Sequence, residues 1–183
     1  MQKERDFSKK NDKKCGELNA RDWIALKNSW TKMVENEPLW IQICFGSYFE
    51  IECLRNDFHD AIVVETESTA RRNQYILDTK LFKLTVGKTT RGKTYYYDIP
   101  DVIFNLLKQC KIGDQNCDYN YWNYHSRRIF KLHYDENLSQ GVINYLRICK
   151  AKWIESLQVS AIEKDKMHSN MAHSYSTAIR NYI

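Results

Sequence analysis

The sequence predicts an α+β domain, mainly helical, with one small antiparallel β-hairpin or sheet. Three observations carry this. Apolar residues recur at helical spacing, as in RDWIALKNSWTKMV with its Trp23, Leu26, Trp30 and Met33. Only two prolines and six glycines interrupt the 183 residues. One stretch, KLFKLTVGKTTRGKTYYYDIP, places strand formers on both sides of a glycine-containing turn.

Taken in order, residues 1–17 read as a basic, mobile tail and 18–183 as one domain. Asn19 is the expected N-cap of the first helix. Pro38 opens a second, LWIQICFGSYFEIECL, with Glu50 and Glu52 on its wet side. Residues 57–77 are ambiguous, since AIVV fits a strand or a helix end. The hairpin follows, with GKTTRGK as its tip, and Pro100 ends it. DVIFNLLKQC then starts a helix with Asp101 in its first turn, and KIGDQNCDYN is a loop. From Tyr121 to about residue 163 the pattern is helical again, and MAHSYSTAIRNYI is a short polar end.

Composition narrows the function. At 43% hydrophobic and 28% charged, the chain can bury a core and is not a disordered segment. There is no apolar run long enough to span a membrane and no secretory signal, so an intracellular, non-secreted protein is expected. The six cysteines form no CxxC pair and read as reduced, buried thiols. No zinc-finger spacing, Walker loop or dinucleotide fingerprint is present, and no cofactor is called for.

The net charge of +5 is unevenly spread. Residues 1–14 carry +3, 17–67 carry −6, 69–93 carry +6 and 119–183 carry +4. The middle basic block surrounds the hairpin. An uneven basic distribution of this kind fits a nucleic-acid backbone better than the small total does.

One constellation carries chemistry. His173 and Tyr182 stand nine residues apart in HSYSTAIRNY; Arg127 and Arg128 lie in YHSRRIF; Lys88 lies at the hairpin tip. With these residues in this order, residues 18–183 resemble the catalytic domain of tyrosine recombinases. These are the phage-type integrases, which share their site with type IB topoisomerases. The resemblance implies a recombinase-like fold that cleaves and rejoins double-stranded DNA, with self-association on DNA as dimer or tetramer. It implies Tyr182 as the nucleophile that forms a 3′-phosphotyrosyl link. Arg127, in Tyr124-x-x-Arg127, would be the phosphate clamp, with Arg128 as the shifted alternative. Lys88 would be the general acid, and His173 a phosphate donor or manager of the nucleophile's proton. Cleaving a phosphodiester without a metal needs such a nucleophile and such permanent positive charge.

The family's first arginine has two candidates. Arg55 follows the apolar helix, 33 residues before Lys88, and has Phe58 where the family has Glu. Arg71 has Gln74 at that position but stands only 17 residues before Lys88, a short interval for the first strand. A third register leaves Ser47 in the arginine slot, implying an impaired relative. The Lys88–Arg127 interval is short and the Arg127–His173 interval long, with extra chain around RICKAKWIESLQVSA. A DNA-binding relative without cleavage and a DNA-relaxing topoisomerase stand as alternatives.

Overall fold

The computed structural model describes residues 22–54, 57–85, 93–114, 118–135, 138 and 141–171. The tail at 1–17 lies outside them. Among the described residues, six helices and one four-stranded sheet form a mixed α+β fold.

Asp22, not Asn19, caps the first helix, α1 (Trp23–Val34). Its carboxylate accepts from Ile24 N at 2.7 Å and Ala25 N at 3.3 Å, which satisfies two N–H groups that a helix start leaves open. Trp23, Leu26, Trp30 and Met33 are buried as their spacing predicts. Pro38 sits at the start of α2 (Leu39–Glu50), as expected.

α2 is buried on nearly every side: Ile41 and the run Ile43 to Phe49 are all inaccessible. Gly46 explains how closely its neighbours approach. A Cβ there would stand 2.6 Å from Ile103 and 2.7 Å from Trp30, so only glycine fits between them. Around it runs an aromatic core. Phe45 meets Phe49, Trp122 and Phe130, while Tyr48 meets Phe58 edge-on.

The predicted wet side of α2 does not exist. Glu50 is half-buried, accepting from Trp30 Nε1 at 2.8 Å and pairing with Lys27 at 3.2 Å. Glu52, just past the helix, is buried. It is paired with Lys150 and accepts from Cys53 N. Cations on neighbouring helices compensate both carboxylates, so these can leave water.

The ambiguous 57–77 stretch yields two strands, β1 (Ile62–Val64) and β2 (Gln74–Ile76), paired in parallel. β3 (Leu81–Leu84) and β4 (Tyr95–Asp98) complete the sheet in the order β1-β2-β3-β4, with the last two pairings antiparallel. Tyr75, Phe82 and Tyr97 lie side by side in register, and Tyr75 and Phe82 are core residues. The alternate row, Gln74, Lys83 and Tyr96, faces the loop at 65–72. Gln74 ties this loop down through Ser68 N, Ser68 O and Ala70 O. Lys83 bonds Ser68 O and pairs with Glu67 at 2.6 Å, and Tyr96 donates to the same carboxylate.

After Pro100 come α3 (Asp101–Leu107), α4 (Tyr119–Tyr134), α5 (Val142–Ser156) and α6 (Ala161–Asn170). α6 starts on a capping box between Ser160 and Glu163. Cys44, Cys53 and Cys149 are buried thiols and Cys110 is half-buried, with no disulfide among them. Cys15 and Cys117 lie outside the described residues. No described helix is long and apolar enough to cross a membrane.

Candidate functional site

Four of the residues singled out by the sequence, Arg55, Lys88, His173 and Tyr182, lie outside the described residues. The other two are described, and they sit on exposed surface. Arg71 is in the loop that leads into β2. The 16 residues between it and Lys88 hold all of β2 and β3, so the short interval is no obstacle to a strand. Arg127 is on the outer side of α4, where its Nε donates to Asn123 Oδ1 at 3.1 Å. Arg128 also faces outward and pairs with Glu37, which His125 Nδ1 contacts at 2.9 Å. Ser47, the residue of the third register, is buried and shares a hydrogen bond with Tyr75 Oη at 3.0 Å.

The sequence reading missed Arg147. This residue is on α5, and its side chain is completely inaccessible, 0% exposed. Nine of the fifteen residues of α5 are buried, so the helix carries its arginine into the core. The Nη1 group of Arg147 donates to Cys53 O at 3.0 Å and to Met171 O at 3.2 Å. Both of its N–H bonds are thereby used. Nε and Nη2 have no hydrogen-bond partner among the described residues.

That distribution has a geometric meaning. Nε–H and Nη2–H lie parallel on one edge of the guanidinium plane. They form the side-on fork that matches two oxygens of a carboxylate or phosphate. A buried cation with three open N–H donors is costly. Here one edge of the plane is fixed by backbone and the other has no partner among the described residues.

The carbonyls on Nη1 come from separate parts of the chain. Cys53 follows α2, two residues before Arg55 in the sequence; Met171 follows α6, two residues before His173. Lys150 stands one turn beyond Arg147 on α5, held by Glu52 and lying over the Trp23 ring at 5.7 Å. Tyr97 donates to Asn170 O at 3.3 Å. Burial, with Glu52 and Asp57 nearby, holds the Tyr97 phenol well above its usual pKa. Burial likewise pushes the Cys53 thiol up to about 12, against the opposing pull of Lys150 and Arg147.

One signal in the sequence could have found Arg147. The interval from Arg127 to His173 looked too long, and Arg147 shortens it by twenty residues. The sequence reading took the chain around RICKAK only as extra length in that interval. A shallow cleft of about 80 Å³ lies between the starts of α4 and α5 and is lined by Tyr119, Trp122, Asn123 and Gly141 to Asn144. Among the described residues no His, Cys, Asp and Glu side chains gather as a metal site. No family model matches this chain, and no curated protein or solved structure is similar to it.

Proposed function

We propose that this chain breaks and rejoins double-stranded DNA through Tyr182, as a recombinase-like strand transferase. The observation that carries the reading is the open Nε/Nη2 fork of Arg147. The proposal gives Arg147, rather than Arg127, the role of phosphate clamp. A forked guanidinium in a site shielded from water neutralises the charge that builds on the non-bridging oxygens. Arg127, on exposed surface, would meet the same phosphate against full solvent screening. A phosphate entering the fork displaces whatever covers the guanidinium in the unbound chain.

Of the two first-arginine candidates the reading takes Arg55. It follows by two residues the carbonyl that Arg147 holds, and His173 follows the other such carbonyl by the same count. Lys88 belongs to the connection between β3 and β4, in keeping with a hairpin-borne general acid.

In this mechanism the Tyr182 oxygen attacks phosphorus and its proton passes to His173. The bond from phosphorus to the 5′ oxygen breaks, and Lys88 supplies that oxygen with a proton. The phosphotyrosyl link conserves the bond, so attack by a 5′ hydroxyl reverses each step and reseals the strand.

A duplex nicked beside the scissile phosphate tests this, because the short 5′ fragment diffuses away and traps the covalent complex. The expected result is an adduct that is absent in Tyr182→Phe. In Arg147→Lys, which keeps the charge but loses the fork, it should fall about 100-fold or more, while Arg127→Lys leaves it nearly unchanged. DNA binding with no adduct on any duplex sequence would instead identify a binding module. Relaxation of a supercoiled plasmid by the monomer would favour the topoisomerase alternative.

A further inference from the structure

The small sheet is electrically polarised along its strands. β1 and β2 run in parallel, and β3 and β4 alternate with them, so one end of the sheet gathers the residues before β2, after β3 and before β4. Arg71, Arg72 and Lys93 are there, all exposed. None of the three side chains has a hydrogen-bond or ion-pair partner among the described residues. The exposed Asp60 is at the same end, and the side chain of Asp57 is buried. The opposite end gathers Glu65, Asp78, Asp98 and Asp101, against Lys80, which Asp101 neutralises at 3.1 Å, and Lys108, which lies over the same Phe104 ring as Lys80. Between the two ends, Lys83 and Glu67 cancel each other.

The basic end is also stiff where it needs to be. Asn73 is buried; its side chain donates to Asp57 O at 3.1 Å and accepts from Thr85 N at 3.0 Å. Arg72 N donates to Ala70 O at 2.8 Å, and Gln74 holds the Ala70 carbonyl from the other side. The two guanidinium groups thus project from a loop whose backbone is fixed at both flanks. Unneutralised, pre-positioned cations separated along a sheet end match a row of backbone phosphates.

We infer that Arg71, Arg72 and Lys93 form a docking surface for the phosphate backbone of duplex DNA, separate from the cleavage chemistry. This shares with the proposed function its DNA partner but needs no catalytic step. Arg71, a candidate for the first catalytic arginine by sequence, thereby becomes a positioning contact that any DNA sequence would engage.

The test is binding of the full chain to a labelled duplex of arbitrary sequence across a salt series. The double variant Arg71→Gln/Arg72→Gln is compared with Lys80→Gln/Lys108→Gln, which removes equal charge at the acidic end. Each phosphate contact contributes about 0.9 to the logarithmic salt slope, so the first variant should lower it by about 1.8. Its affinity should drop about tenfold at low salt. The second variant should change neither. Both should keep the parent urea midpoint, since all four side chains are exposed.

Equal effects from the two variants, or none from either, would overturn the inference. So would binding to phosphatidylserine vesicles that matches or exceeds binding to DNA. The two readings fail separately. A changed salt slope without a Tyr182 adduct keeps the surface and removes the chemistry. An adduct with an unchanged slope does the reverse.

Discussion

α4 and α5 are helices of nearly equal length, and each carries arginine, yet the structure uses those arginines in opposite ways. On α4, Arg127 and Arg128 face water and find side-chain partners, Asn123 and Glu37. On α5, Arg147 is inaccessible and holds only backbone carbonyls, with three of its five N–H donors uncommitted among the described residues. Solvated guanidinium groups have water to satisfy them, so their protein contacts contribute little. A buried one has no such substitute, and every donor left open is a free-energy cost that an anion can relieve. The comparison separates an arginine that sits on solvated surface from one that is carried into the core.

Breaking the charge compensation on each helix should expose this difference. Glu52→Gln leaves the largely buried Lys150 without its carboxylate and should cost about 3 kcal/mol in urea unfolding. Glu37→Gln, whose arginine partner is 45% exposed on its side chain, should cost about 1 kcal/mol. Arg127→Ala, at the far end of the scale, should stay within about 0.5 kcal/mol. If Arg127→Ala proved as damaging as Glu52→Gln, the contrast between the two helices would collapse.

A titration sharpens the same contrast from the α5 side. The Cys53 thiol, beside the Arg147 contact, has its folded pKa raised by burial to about 12 from an ordinary 9. A raised acid keeps its full stabilising contribution below pH 9. Above it the unfolded chain loses the proton first, so stability falls as pH rises from 9 towards 12. Cys53→Ser should flatten that alkaline decline in unfolding experiments. At pH 8 a thiol reagent should modify Cys53 only once the chain has unfolded.

Much of the fold was legible from local signals. Trp23, Leu26, Trp30 and Met33 face the core because they share a helix face. Pro38 and Pro100 start helices because proline has no N–H to lose there. The β3–β4 pairing follows from two strand-forming runs around a polar turn. The cap moved from Asn19 to Asp22 because capping depends on which side chain reaches the first free N–H groups, and two nearby residues of the right type compete for that. β1 and β2 were not legible. Three-residue strands carry too little period, and a parallel pairing is fixed by the loop that crosses over the sheet.

The candidate site divides in the same way. Residue types and their order pointed to phosphoryl transfer on DNA, and the uneven charge pointed to a polyanion. The sequence by itself determined which residues are apolar, where helices start and stop, and that the basic block flanks a hairpin, because these are local properties of neighbouring residues. Only the tertiary structure decided that Arg147 is buried with an open fork, that Glu52 faces Lys150 rather than water, and that Arg71, Arg72 and Lys93 share one sheet end. Burial and charge compensation depend on segments far apart in the chain, and no local pattern records which of them will meet.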